Sequence, residues 1–142
     1  MLKGIDPVLS PELLATLRGM GHGDEIAIVD GNYPAVEHAR RLIRLDGMHF
    51  IPVLNAILSV FPVDDFVDEA MFRSTVGDSA DALHDIHYAI IKVVADHEPE
   101  KSLTPLVGDA FYQRVKHAHV IVSTSEPNLY ANVILRKGVI RP

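Results

Sequence analysis

His22 stands between Gly21 and Gly23 in the run Gly19-Met20-Gly21-His22-Gly23-Asp24. No bulky neighbour shields it, and a histidine side chain, titrating near ~6.5, can pass protons at neutral pH. Its plainer role is a hydrogen bond to a loop carbonyl. Beyond the apolar run Ile26 to Val29 comes Asp30, followed by Gly31. Asp30 is either a strand-end residue forming an Asx turn or an acceptor for the hydroxyls of a polyol. Tyr130-Ala131-Asn132 lies just before another apolar run. Its phenol and amide both donate and accept, which suits sugar hydroxyls; the plainer reading is a turn with a packed tyrosine.

Other patterns carry less chemistry. The alternating glycines around His22 imitate a dinucleotide-binding loop, but such a loop follows a strand and opens a helix. Here the run closes a helix and precedes a strand. Of eight histidines, His84 and His87 are spaced three apart on an expected helix, and His117 and His119 flank a helix–strand junction. Zinc needs three or four converging ligands at recognisable spacings, and none is found, so no metal site is expected. No serine sits in a Gly-x-Ser-x-Gly elbow. Asp64-Asp65 with Asp68-Glu69 reads as a solvated acidic loop.

These residues need elements to position them. Ser10-Pro11-Glu12 starts a helix, with Ser10 as cap and Pro11 where no N–H is missed. Leu13, Leu14 and Leu17 give it an apolar stripe, and Gly21 is the expected C-terminal glycine. Ile26 to Val29 reads as a buried strand. Further strands are expected at Arg41–Leu45, Ala70–Thr75, Val120–Ser123 and Asn132–Leu135. Helices are expected at Phe50–Phe61, Ala80–Ala95 and Asp109–Ala118. Such alternation predicts an α/β fold: one three-layer domain over residues 1–142, its largely parallel or mixed sheet flanked by helices. Ligands then sit at the carboxyl ends of strands, where Asp30 lies.

Composition agrees. The chain has 142 residues, 48% hydrophobic and 23% charged, which are globular values. With 13 Lys+Arg against 19 Asp+Glu the net charge is −6, which disfavours a general nucleic-acid binder. Cysteine is absent, so disulfides and thiolate chemistry are excluded. No signal-peptide pattern or membrane-spanning run is seen, so a cytoplasmic location is expected and no membrane partner.

Taken in order, several blocks resemble the D-ribose pyranase / L-fucose mutarotase family, closer to its fucose branch. They are Leu2-Lys3-Gly4-Ile5, Leu9-Ser10-Pro11-Glu12-Leu13-Leu14, Met20 to Ile26, and Asp30 with Asn32-Tyr33-Pro34-Ala35. Ile43-Arg44, Asp46-Gly47, Phe111-Tyr112 with Arg114, and Tyr130-Ala131-Asn132 running into Leu135-Arg136-Lys137-Gly138-Val139 complete the set. Residues 67–108 match poorly.

The resemblance implies interconversion of the cyclic forms of a free monosaccharide such as L-fucose, by acid–base ring opening and without cofactor. The ring oxygen takes a proton, the anomeric hydroxyl loses one, the aldehyde end rotates, and closure reverses the transfers; such proton transfer contributes roughly 10²–10⁴-fold. It implies His22 as proton donor, and Asp30, Tyr130, Ala131 and Asn132 as sugar ligands. It also implies a homo-oligomer with sites shared between subunits. Fucose-type members more often have Gly at the position of Ala131, and ribose-type members Ala. Family members carry a basic residue four positions before the tyrosine matching Tyr112, where this chain has Gly108. Ribose-type pyranose–furanose exchange, a sugar-binding module without catalysis, and a histidine-based metallohydrolase are the alternatives.

Overall fold

The computed structural model describes residues 1–142. Strand β1 (Glu25–Val29) has every residue after Glu25 buried, as its unbroken apolar run requires. Ile26 and Ile28 point into one core, and Ala27 and Val29 into a second on the opposite face. The helices divide accordingly. On the first face lie α1 (Pro11–Gly19), α3 (Phe50–Leu58) and α4 (Asp85–His97); on the second lie α2 (Ala35–His38) and α5 (Asp109–His117). The expected three layers follow.

The other strands are β2 (Leu42–Leu45), β3 (Met71–Ser74), β4 (Thr104–Leu106), β5 (Val120–Thr124) and β6 (Val133–Arg136). Their order is β2-β5-β1-β6-β3-β4. The pairs β1–β5, β2–β5 and β3–β4 are parallel, while β6 runs antiparallel between β1 and β3. All strands but β6 therefore end on one edge of the sheet, and β6 begins there. Two elements, α2 and β4, have no counterpart in the sequence expectations. Each is only three or four residues long, too short for a periodic signal.

Three boundaries differ from expectation, each for a local reason. Helix α1 is capped as expected, with Ser10 Oγ accepting the Leu13 N–H at 3.2 Å. It ends without a left-handed glycine, because Met20 is already extended and Gly23, not Gly21, has positive φ. Helix α3 stops at Leu58, with Ser59 Oγ bonding back to the Ala56 carbonyl. Helix α4 begins at Asp85 rather than Ala80. His84 and His87 cap it reciprocally, and the Arg73 guanidinium ties the Ala80 carbonyl outside the helix at 2.8 Å.

Candidate functional site

Where β1 begins, the chain makes the tight turn that carries His22. Asp24 Oδ2 accepts the Gly21 N–H at 2.7 Å, and Gly23 N–H donates to the Lys137 carbonyl at 2.8 Å. Gly23 adopts φ 86, and a Cβ there would meet Arg136 Nη2 at 3.0 Å, so only glycine fits without strain. The turn leaves the His22 side chain 43% exposed. Its Nε2 faces Asp64 Oδ1 at 3.1 Å, and its ring packs on Phe66 with centroids 5.0 Å apart.

Asp64 is wholly buried as a side chain, which corrects the expectation of a solvated acidic loop. Its Oδ1 also accepts the Phe66 N–H at 3.0 Å, and its Oδ2 accepts Arg136 Nε at 2.8 Å. Burial alone would raise its pKa, but the bonds from Phe66, Arg136 and His22 outweigh that and carry it down to about 2. An ionised carboxylate only accepts, so Nε2 of His22 must hold the proton. Nδ1 is left free of this pairing. Gly138 makes the arrangement possible: a Cβ there would lie 2.7 Å from Asp64 Cα and 2.8 Å from the Val63 carbonyl oxygen.

The other candidates gather at the opposite edge of the sheet. Asp30 follows β1 and is 4% exposed. It and Asn132 clasp each other: Asp30 N–H donates to Asn132 Oδ1, and Asn132 Nδ2 donates to Asp30 Oδ2, both at 3.0 Å. Asp30 Oδ1 accepts the Asn32 N–H at 2.9 Å, the Asx turn expected from the sequence. Burial raises the Asp30 pKa, and the bonds from Asn32 and Asn132 only partly offset this. Ser74 Oγ, at the end of β3, donates to the Tyr130 carbonyl at 3.0 Å. Tyr130 itself has φ 66, and Ala131 is fully buried with its side chain in the first core.

A cleft of about 180 Å³ opens here, lined by Tyr33, Ser74, Gly108, Tyr112, Tyr130 and Asn132 among others. A second of about 310 Å³ borders it at Asp30, Tyr33 and Arg44. Tyr33 therefore belongs to both; its hydroxyl is 2.9 Å from His38 Nδ1. Gly108 caps α5 with φ 54 and ψ −128. Neither Arg114 nor His117 of α5 replaces a side chain there. Arg114 is bound bidentately to Glu25 and stacks on Phe72, and His117 bonds the Gln113 carbonyl. His119 faces Asp24 at 4.0 Å, at the His22 edge.

The structure thus brings Asp30, Tyr130 and Asn132 together and leaves His22 apart. The five residues of β1 separate them, a span of roughly 17 Å at a strand's rise per residue. Sequence reading missed Asp64, Arg136, Ser74 and Tyr33 as site residues. Arg136 and Tyr33 fall inside blocks already singled out, whereas nothing around Asp64 distinguishes it from its acidic neighbours. No group of three or more His, Asp or Glu residues converges as a metal site would need.

Hydrogen-bonding side chains clustered at the strand ends of an α/β sheet stand where such folds hold small molecules, and their donors and acceptors are of the kind a polyol would need. The chain belongs to the RbsD / FucU transport protein family, whose model matches residues 3–140. It is 42% identical to an L-fucose mutarotase of Glaesserella parasuis, over 98% of this chain and 96% of that one. An L-fucose mutarotase of Haemophilus influenzae is also 42% identical, with 98% and 97% covered. Among solved structures, the fucose mutarotase of Streptococcus pneumoniae in complex with L-fucose superposes with TM-score 0.92 at 42% identity, over 99% of this chain and 100% of that one. FucU from Bifidobacterium longum superposes at 0.91 with 34% identity, covering 98% and 100%.

Proposed function

We propose that this protein is a sugar mutarotase that interconverts the anomers of a free monosaccharide, L-fucose first among them. The observation that carries this is the whole-length match, in sequence and fold, to a fucose mutarotase holding L-fucose. Asp30, Tyr130 and Asn132, with the backbone at Ala131, bind the sugar in the cleft. His22 is the general acid–base group. Asp64, held ionised by Phe66 N–H and Arg136, keeps the His22 proton on Nε2 and the ring fixed, so Nδ1 exchanges protons with the sugar. The unprotonated Nδ1 takes the proton of the anomeric hydroxyl and delivers it to the ring oxygen as C1–O5 breaks to the aldehyde, and closure after rotation about the C1–C2 bond reverses both transfers. No redox step or covalent enzyme intermediate is required.

Because His22 and the cleft lie on opposite edges of one sheet, a complete site takes His22 from one copy and the cleft from the next. Exposed apolar groups at both edges favour this pairing. Phe66 beside His22 is 62% exposed and Ile140 82%; Leu129 beside Tyr130 is 52% exposed and Tyr112 42%. A contact between two unlike edges is head-to-tail, and it makes a ring when the rotation from copy to copy closes. No helix is long and apolar enough to cross a membrane, and a cytoplasmic enzyme acting on sugar delivered there is the proposed setting.

Saturation-transfer NMR tests the reading, on L-fucose, D-ribose, D-galactose and D-glucose with and without protein. Anomer exchange of L-fucose well above the buffer rate, abolished in a folded His22→Ala variant, is the expected result. Undiminished exchange in that variant would remove His22 from the mechanism. Acceleration of ribose pyranose–furanose exchange alone would replace the fucose assignment, and saturable binding without exchange would make the protein a binding module.

A further inference from the structure

Behind the cleft wall that carries Tyr130 lies a histidine the proposed reaction does not use. His87 is fully buried in α4. Its Nδ1 accepts the His84 N–H at 2.9 Å, which puts the imidazole proton on Nε2. That Nε2 has no hydrogen-bond partner. Buried donors without acceptors are rare because desolvating them is costly, so each one calls for an explanation. Burial, then the charges of Arg73 and His84, hold the ring neutral, while the Tyr130 backbone lies close enough to pull the other way. Only the Tyr130 carbonyl can do that. It accepts one bond, from Ser74 Oγ, and has a second lone pair free.

The residue on the far side of that carbonyl is not relaxed. Tyr130 holds φ 66, a left-handed conformation that non-glycine residues keep only when their surroundings impose it. The His84 ring stands edge-on to the Tyr130 ring, with centroids 5.7 Å apart. Both members of the α4 cap therefore bear on the same turn of the site. The histidine pair spaced three apart in the sequence thus lies against this turn of the cleft.

We infer that His87 is a positioning residue for the Tyr130–Asn132 segment: its Nε2–H is the reserve donor to the Tyr130 carbonyl, engaged when sugar draws that segment inward. This rests on the reading of the cleft as the sugar site. His87 touches no substrate; it sets the backbone that does.

Two substitutions separate this role from helix capping. His87→Asn keeps an acceptor near Nδ1 and loses the donor at Nε2. His87→Gln keeps a donor near Nε2 and loses the cap acceptor. Each variant is assayed for anomer exchange against L-fucose concentration and for thermal unfolding. Loss of one hydrogen bond realised on binding is expected to raise KM roughly three- to tenfold in His87→Asn, with kcat within about twofold. His87→Gln is expected to hold KM near wild type and to melt lower. A merely structural histidine would make KM follow stability in both variants, and a wild-type KM in His87→Asn would overturn the inference. Wild-type exchange, measured first, tests the mutarotase reading separately. Imidazole 15N spectra of the sugar-free protein need no turnover: an Nδ1-protonated or doubly protonated His87 overturns the inference whatever the exchange assay gives.

Discussion

Replacing Asp64 with Asn keeps its volume and removes its charge, and the consequences follow from three bonds. Oδ1 accepts from His22 Nε2 and Phe66 N, and Oδ2 accepts from Arg136 Nε. An amide offers one acceptor oxygen and one donor group. If its oxygen stays towards His22, its NH₂ meets the Arg136 N–H, donor against donor. If it flips, His22 must accept at Nε2, and its proton moves to Nδ1. The imidazole facing the sugar then has its donor and acceptor nitrogens exchanged. Charge-assisted bonds contribute about 1.5–3 kcal/mol each, so losing roughly half of this set costs about 2–4 kcal/mol. For a chain of this size that lowers Tm by roughly 8–15 °C, within what a folded domain survives. The kinetic loss should be larger in relative terms, roughly 10²–10⁴-fold in catalysed exchange, the range associated with general acid–base groups. The assay is saturation-transfer NMR at neutral pH on protein shown folded by circular dichroism, with imidazole 15N spectra to read the tautomer. Because Asp64 acts through His22, His22→Ala combined with Asp64→Asn should be no slower than His22→Ala alone. A folded Asp64→Asn variant exchanging within about twofold of wild type would refute the tautomer argument.

Three further predictions come from the same geometry. His22→Ala and Asn132→Ala should each be inactive alone, yet a co-refolded equal mixture should recover about a quarter of wild-type exchange if sites are shared head-to-tail; no recovery would locate both groups in one subunit's site. Gly138→Ala drives a Cβ to within 2.7–2.9 Å of the Val63–Asp64 backbone, and calorimetry should show a loss of roughly 1–3 kcal/mol with exchange falling alongside. Asp64 has a pKa of about 2 when folded, against 3.8 for an ordinary aspartate carboxyl, so the unfolded chain binds more protons in that window. Its stabilisation is therefore complete above about pH 4 and lost as pH falls through about 2, and acid unfolding of Asp64→Asn should lack that component.

The legible parts of this fold are those where local chemistry and tertiary packing agree. Ser10-Pro11-Glu12 caps α1 as its residue types dictate, and the apolar run of β1 is buried on both faces. Asp30 and Asn132 were legible as hydrogen-bonding residues because each stands at a strand end. Asp64 was not. Its burial follows from the 42-residue separation it spans to reach His22 and the 72 to Arg136, together with a glycine at 138 that admits its backbone. A sequence run shows none of these. His87 was unreadable for a similar reason: an i,i+3 histidine pair looks the same whether solvated, metal-binding or folded back on its own helix cap. The separation of His22 from the cleft was, by contrast, already implicit. One residue precedes β1 and the other follows it, and a strand cannot bring its own ends together.

That separation also bears on the departure at Gly108. A backbone at φ 54 and ψ −128 is open to glycine and strained for any other residue. A basic side chain could not be placed there without changing the turn that starts α5. Arg114 is committed to Glu25 and Arg73 is buried against the Ser74 and Ala80 carbonyls. Of the side chains lining the inner cleft only Asp78 carries charge; Tyr33, Ser74, Thr75, Tyr112, Tyr130 and Asn132 are neutral. Neutral groups of this kind both donate and accept, so they read the positions of sugar hydroxyls without demanding one polarity. A site built to bond a particular hydroxyl rejects an analogue that lacks it far more strongly than one that carries it at a tolerated angle. A hydroxyl of inverted configuration leaves its partner unpaired much as a missing one does, so discrimination here should follow configuration as well as the presence of hydroxyls. L-fucose and D-galactose have opposite configuration at each of their ring-hydroxyl carbons, so a set of donors and acceptors fixed to suit one meets the hydroxyls of the other out of place, and in the four-sugar panel L-fucose should be accelerated well above D-galactose. Equal acceleration of the two would refute this reasoning and mean that the lining side chains do not hold the sugar's hydroxyls in fixed places.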